Sequence, residues 1–290
     1  MPAAQRERYP DSVSGVGPNM PEGLVERDGV RLHYREWPAD ATRSLLLLPG
    51  LGGGGGSSLY WVPFVEAIGK RLRIVSMEQR GHAHSDWSES YRWQEVVADI
   101  NAVVTKLDLA PAILVGHSAG SAWAYLYASE HPDNVDRLVD VDGGAPYPLV
   151  DTPPQPPILR TQAQFMELAR TRWSSASVEK ETLEWIKDGT MQLDDGRWTW
   201  RQDPRVWTAL FRGEICAAPE EFLDHARRVS CPVLIVRGAD SDFFPRLKAD
   251  QLAAVVPDAR IVEVARAGHV VHLANPSGFY DAVAQFIGLD

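Results

Sequence analysis

AILVGHSAGSAWAYLYASEHP, residues 112–132, decides the fold. Ala112–Val115 is a short continuous apolar run, as expected of a strand buried on both faces. Ala119–Glu130 carries a helical pattern that His131-Pro132 closes. Between them stands Gly116-His117-Ser118-Ala119-Gly120, a G-x-S-x-G in strand–turn–helix context. A chain that reverses this sharply puts Ser118 in a strained backbone conformation, and a side chain at residue 116 or 120 would clash. The strain lifts the Ser118 hydroxyl above the sheet edge. It also leaves the Ala119 N–H at a helix N-terminus, where negative charge is favoured. The plainer reading, a helix N-cap serine, requires neither glycine.

The same rhythm extends outward in both directions. Leu24–Glu26 and Val30–Glu36, joined across Asp28-Gly29, predict a hairpin. Ser44–Leu48 and Arg73–Met77 predict strands, with helical spacing over Trp61–Gly69 and Trp93–Leu107. Arg137–Val141, Pro232–Val236 and Arg260–Val264 predict further strands, and Ser277–Ile287 a last helix. Strand alternating with helix implies an α/β fold, a mostly parallel sheet with helices on both faces. The alternation breaks between residues 146 and 230, where helical patterns and five of the ten tryptophans lie after a proline-rich connector, with no convincing buried strand. The organisation expected is a flexible arm at 1–22, a core domain of 23–145 and 231–290, and a helical cap at 146–230.

A serine hydroxyl needs a base to take its proton. His269 follows the strand Arg260–Val264 through a short loop, at the C-terminal edge where parallel sheets bind ligands. It is therefore the expected base. His272 is expected to pack at the helix start, and His117 to point away from its neighbour Ser118. His82 and His84 read as loop hydrogen-bonding residues; His33, His131 and His225 read as surface residues. The acid that holds the imidazole has three candidates. The loop after Pro232–Val236 offers Asp242, ranked first, and Asp240; Asp142 ends the strand Arg137–Val141.

Composition narrows the partners. The net charge of −10 disfavours nucleic acid and acidic membrane surfaces. The two cysteines, Cys216 and Cys231, suit reduced structural thiols better than a disulfide scaffold, and no Cys/His cluster has zinc spacing. The polar N-terminus lacks an apolar signal-peptide region, and no run is long enough to cross a bilayer. A cytoplasmic protein acting on a small molecule, without metal or organic cofactor, is expected; oligomeric state is left open.

Four segments carry a family resemblance: Leu48-Pro49-Gly50-Leu51-Gly52, Gln79-Arg80-Gly81-His82-Ala83-His84-Ser85-Asp86, the Ser118 pentapeptide, and Ala267-Gly268-His269. Over roughly residues 24–288 the chain resembles the α/β-hydrolase superfamily. The resemblance implies an eight-stranded sheet, a helical cap after the sixth strand, and an oxyanion hole made by the backbone N–H groups of Leu51 and Ala119. It favours Asp242 over Asp240, because relatives carry a Gly-x-x-Ser-Asp variant, and gives the Asp142 position the acid role in a minority of relatives. Relatives that open epoxides or displace halide carry a carboxylate at the elbow, so Ser118 points instead to acyl chemistry. The expected reaction is hydrolysis of a carboxylic ester, lactone or thioester through an acyl-enzyme. The alternatives are carbon–carbon cleavage of a diketone acid, acyl transfer or cyclisation in a biosynthetic pathway, and a small-molecule receptor with a vestigial site. Trp61, Trp198 and Trp200 are the candidates for lining an apolar or aromatic substrate pocket. The run Gly52–Gly56 suggests a roomy oxyanion loop or a tolerated insertion.

Overall fold

A computed structural model describes residues 20–51, 56–143, 156–172 and 179–289. The expected arm (nearly all of it), most of the glycine run, most of the proline-rich connector and Trp173 lie outside them. In chain order the elements are β1 (Glu22–Arg27), β2 (Val30–Trp37), β3 (Ser44–Leu48), α1 (Val62–Ile68), β4 (Arg73–Met77), α2 (Trp93–Lys106), β5 (Ala112–His117), α3 (Ala119–Glu130) and β6 (Val135–Val141). The insertion follows with α4 (Gln162–Arg172), α5 (Glu179–Asp188), β7 (Thr190–Gln192), β8 (Trp198–Trp200), α6 (Arg205–Phe211) and α7 (Pro219–Arg228). The chain then finishes with β9 (Val233–Gly238), α8 (Arg246–Ala253), β10 (Ala259–Val264), α9 (Val271–Ala274) and α10 (Pro276–Ala284).

Eight strands form one sheet in the order β1-β2-β4-β3-β5-β6-β9-β10. The β1–β2 hairpin and the β2–β4 pair are antiparallel; every later pairing is parallel. The Asp28-Gly29 turn has positive φ at both residues, as a two-residue hairpin turn requires. The fold is thus the α/β-hydrolase fold.

The period of two along each strand divides the core. Leu46, Leu48, Leu114 and Leu138 face one layer, with α2, α3, α7 and α8. Leu45, Leu47, Ile113, Val115 and Val139 face the other, with α1, α9 and α10. Each such side chain, fully buried, is worth about 1.5–3 kcal/mol. Helix α2 turns Val96, Val97, Ile100, Val103 and Val104 inward, and its buried Asp99 is held by Arg80 and Arg27.

Helix α3 is buried almost all round, because it lies between the sheet and both α2 and α7. The last part of the insertion therefore belongs to the helical layer of the sheet: Phe222 of α7 meets Tyr125 of α3 edge-on, at 5.7 Å between ring centres. The β7–β8 hairpin adds two short, partly buried strands to an insertion where no convincing buried strand was expected. Three-residue strands are too short to show alternation, and the Asp195-Gly196 turn that joins them was the available signal. No helix among the described residues is long and apolar enough to cross a membrane.

A buried ion cluster ties the insertion to the sheet. Asp188, the last residue of α5, accepts from Arg35 at 3.0 and 3.2 Å, from His84 at 2.8 Å, and from Ser57. Glu78, just past β4, accepts from Arg35 at 3.0 Å, from the Ser58 backbone at 2.9 Å, and from His33 at 3.0 Å. His33 is thus buried, contrary to its reading as a surface residue. Burial opposes the charged forms of Glu78, Asp188 and His33, and their partners overcome it. The His33, Arg35 and His84 groups hold the Glu78 carboxyl well below its usual range; His84 and Arg35 hold Asp188 low, and Glu78 holds His33 high.

Two outcomes are expected. Gly120→Ala, which in an ordinary helix interior would stabilise by up to about 1 kcal/mol, destabilises here in urea titrations by roughly 1–3 kcal/mol or more, because the added Cβ would sit 2.1 Å from the Leu48 carbonyl oxygen. Asp188→Asn costs about 3–5 kcal/mol, as expected of a broken buried pair. Depressed carboxyls contribute above their unfolded value, near pH 4, and fade as pH falls through the depressed one. The raised His33 contributes below about pH 6.5 and fades as pH rises through its folded value. The gap between wild type and the Asp188→Asn variant in unfolding midpoint is therefore full above about pH 4 and narrows as pH falls through the depressed Asp188 value.

Candidate active site

Ser118 sits between β5 and α3 with φ 55° and ψ −121°. For a residue with a Cβ this is strained backbone, and its neighbours fix it. A Cβ on Gly116 would lie 2.5 Å from the Gly120 backbone, and one on Gly143 would lie 2.4 Å from the Ser118 carbonyl oxygen. The Ser118 N–H donates to the Val141 carbonyl at 3.1 Å, tying the turn to β6.

His269 lies on the loop between β10 and α9, reached through Arg266 at φ 54°. A Cβ on Gly238 would meet the Gly268 carbonyl at 2.3 Å, so only glycine lets the end of β9 support this loop. The Asp240 N–H adds a bond to the Ala267 carbonyl at 2.9 Å. The imidazole reaches both ways. Ser118 Oγ lies 3.1 Å from His269 Nε2, and Nδ1 lies 2.8 Å from Asp142 Oδ2. With Nδ1–H donated to the carboxylate, Nε2 is the acceptor for the serine proton.

The acid beside His269 is Asp142, which corrects the ranking that put Asp242 first. Asp142 is fully buried at the end of β6, in the positive-φ region at 50°. Its other bonds come from the Gly238 N–H at 2.9 Å and the Ser241 hydroxyl at 2.5 Å. The loop after β9 turns so that Ser241 points inward while Asp240 and Asp242 are exposed. That loop supplies a hydroxyl to orient the carboxylate and keeps its own carboxylates in water. Beneath it, Asp140 accepts from the Gly143 N–H at 3.0 Å and closes the turn; burial pushes its carboxyl up to about 7.

Of the oxyanion candidates, Ala119 opens α3 directly after Ser118, and Leu51 follows Gly50 just beyond β3. Gly50 abuts the elbow so closely that its Cβ would stand 2.9 Å from Ser118 Cβ, which brings Leu51 alongside. Neither the Leu51 nor the Ala119 N–H has a backbone acceptor among the described residues.

The tryptophan candidates fare differently. Trp61 has no accessible surface: it stacks on His272 at 4.2 Å and cannot line an open pocket. Trp200 is buried edge-on against Phe165 at 4.5 Å. Trp198 is half-buried on the same strand. The aromatic at the rim is Phe243, which the sequence reading passed over. It is 44% exposed, and its ring covers His269 at 4.0 Å between centres. An aromatic side chain beside two exposed aspartates in a loop was the only signal for it.

Beneath the site lies a buried group of rings. Tyr60 hydrogen-bonds His117 Nδ1, and His117 Nε2 lies 2.8 Å from the His269 carbonyl oxygen. Burial first, then His269, push both His117 and His272 well below the ordinary imidazole range.

An elbow serine, a loop histidine and a strand-end carboxylate at one edge of such a sheet define the hydrolase class to which this fold is adapted. Residues 45–282 match the model of the alpha/beta hydrolase family, and the chain belongs to that family. It is 28% identical over 272 residues to the mouse sn-1-specific diacylglycerol lipase ABHD11, covering 88% of this chain and 85% of that protein. It is 27% identical over 275 residues to a Caulobacter segnis RutD protein named as a carbamate hydrolase, covering 90% and 97%. Among solved structures it superposes on a thioesterase domain from the curacin biosynthetic pathway with a TM-score of 0.80 at 21% identity, covering 92% and 99%.

Asp142→Asn is expected to lower kcat about 10⁴-fold, by allowing the wrong imidazole tautomer. Asp242→Asn should leave kcat near wild type. Initial rates on an activated ester check the ranking.

Proposed function

We propose that the protein is a serine hydrolase that cleaves a carboxylic ester, lactone or thioester of a small apolar or aromatic molecule through an acyl-enzyme. The observation that carries this is the unbroken line Ser118 Oγ, His269 Nε2, His269 Nδ1, Asp142 Oδ2, with bonds of 3.1 and 2.8 Å. Ser118 attacks the acyl carbon as its proton passes to His269, and Asp142 stabilises the imidazolium. The N–H groups of Leu51 and Ala119 receive the negative charge that develops on the carbonyl oxygen. His269 then returns its proton to the leaving group. In the second half-reaction it takes a proton from water, which releases the acid.

The family and two relatives named for lipase and carbamate hydrolase action support attack on an acyl carbon. Phe243 at the rim and half-buried Trp198 supply apolar contact surface, in keeping with an apolar substrate. We place the lid function in the insertion between β6 and α7, anchored by Asp188, and the protein in the cytoplasm.

A fluorophosphonate probe is expected to label Ser118 in the wild type and not in Ser118→Ala. That variant should keep its fold by circular dichroism and lose on the order of 10⁶-fold in kcat. p-Nitrophenyl esters of graded chain length, followed by aromatic lactones, define the acyl group. Unlabelled wild-type protein, or undiminished turnover by Ser118→Ala, rejects the reading.

A further inference from the structure

We infer that His117 is a positioning residue: one buried imidazole holds the main chain of the base loop and the segment after the oxyanion loop in fixed relation. The inference rests on the serine-hydrolase reading above and adds a residue to its machinery.

His117 precedes Ser118, ends β5, and makes no bond to the serine. Its Nε2 lies 2.8 Å from the carbonyl oxygen of His269 itself. A carbonyl only accepts, so Nε2 carries the hydrogen and donates it. Nδ1 is then a lone-pair acceptor, and the Tyr60 hydroxyl donates to it. Tyr60 lies in the 3₁₀ turn Ser58–Trp61, directly after the glycine run. The same ring supports the other side of the site, since a Cβ on Gly50 would fall 3.0 Å from His117 Nδ1. The imidazole therefore bonds the peptide of the base and the turn that follows the oxyanion loop, and leaves no room for a side chain at the strand end leading to Leu51.

The tautomer is essential to the arrangement. The opposite tautomer would set a lone pair against the His269 carbonyl and a hydrogen against the Tyr60 hydroxyl, which could then no longer donate. The surroundings keep the ring neutral. His117 is fully buried, with its centre 4.6 Å from the His269 ring and 5.2 Å from His272, and it has no carboxylate bonded to it. When His269 takes the serine proton, the nearest imidazole beneath it stays uncharged and keeps its grip on the His269 carbonyl.

Two amides separate anchoring from filling space. Gln places its Nε2 where the His Nε2 stands, whereas Asn places its amide oxygen at the Nδ1 position and reaches only Tyr60. His117→Asn is expected to lose about 10- to 100-fold in kcat, as a base displaced by up to 1 Å would, with KM unchanged. Fluorophosphonate labelling of Ser118 should slow in parallel. His117→Gln is expected to retain most of both rates, although the two variants lose similar thermal stability. Equal rates in the two variants, whether high or low, overturn the inference. If neither variant folds, Tyr60→Phe decides. An approximately fivefold loss of kcat at unchanged KM, the worth of one neutral hydrogen bond, supports it; unchanged kcat overturns it. Wild-type protein that labels normally while the variants match one another removes this inference alone. Wild-type protein that does not label removes the serine-hydrolase reading and this inference with it.

Discussion

The structure depends on the close approach of backbones around Ser118. A strand, a helix and two neighbouring strand ends converge on one residue held at φ 55°, and at four points the approach leaves no room for a Cβ: Gly50, Gly116, Gly120 and Gly143. Ser118 cannot relax to an ordinary conformation without moving β3, β5, β6 or α3. The whole sheet thus supplies the energy that holds one strained peptide. The same crowding aligns the reacting groups. Gly50 against the serine brings Leu51 alongside, and Gly143 against the serine carbonyl brings Asp142 to the level of His269.

Much of the fold was legible because its signals are local. The strands β3 and β5 are dominated by continuous apolar runs, and the positions of β3, β4 and β5 were readable to within a residue or two. Ser118 was legible because strand, paired glycines and helix are contiguous, and His269 because its loop leaves a recognisable strand. The acid was harder, for a physical reason. Asp142, Asp240 and Asp242 all follow strands that end at the same edge, and choosing among them depends on the direction each side chain takes after the strand ends. The Gly238–Phe244 turn sends Ser241 inward and both of its neighbours outward, a property of turn geometry rather than of residue type. Trp61 misled for a similar reason. Nearness in sequence to the glycine loop says nothing about which side of the sheet an indole enters, and this one is packed under the site on His272.

The charged residues divide between two tasks at different depths. Around the Ser118–His269–Asp142 line, the carboxylate bonded to His269 among the described residues is Asp142, and burial pushes the imidazoles of His117 and His272 beneath it well below their ordinary range. On the β2–β4 side, Arg35, Glu78, Asp188 and His33 form a dense cluster in which every charge has a partner. That separation matters, because an unpaired charge close to His269 would shift the proton affinity of its imidazole. The cluster does bear on the site mechanically. Ser57 and Ser58 bind Asp188 and Glu78, so the turn immediately after the glycine run is pinned between the insertion and the sheet.

A continuous path therefore runs from the insertion to the base. Asp188 at the end of α5 holds Ser57, the turn of Ser57 carries Tyr60, Tyr60 donates to His117, and His117 donates to the main chain of His269. Three of the links are hydrogen bonds between elements distant in sequence, and the fourth is the short turn from Ser57 to Tyr60. Such a chain is stiff because breaking any link strands a buried donor or acceptor, which costs about 1–3 kcal/mol. Movement of the insertion at α5 is accordingly opposed at the same points that fix the imidazole. The end of α5 and the main chain of His269 are, in this molecule, held by one shared set of contacts.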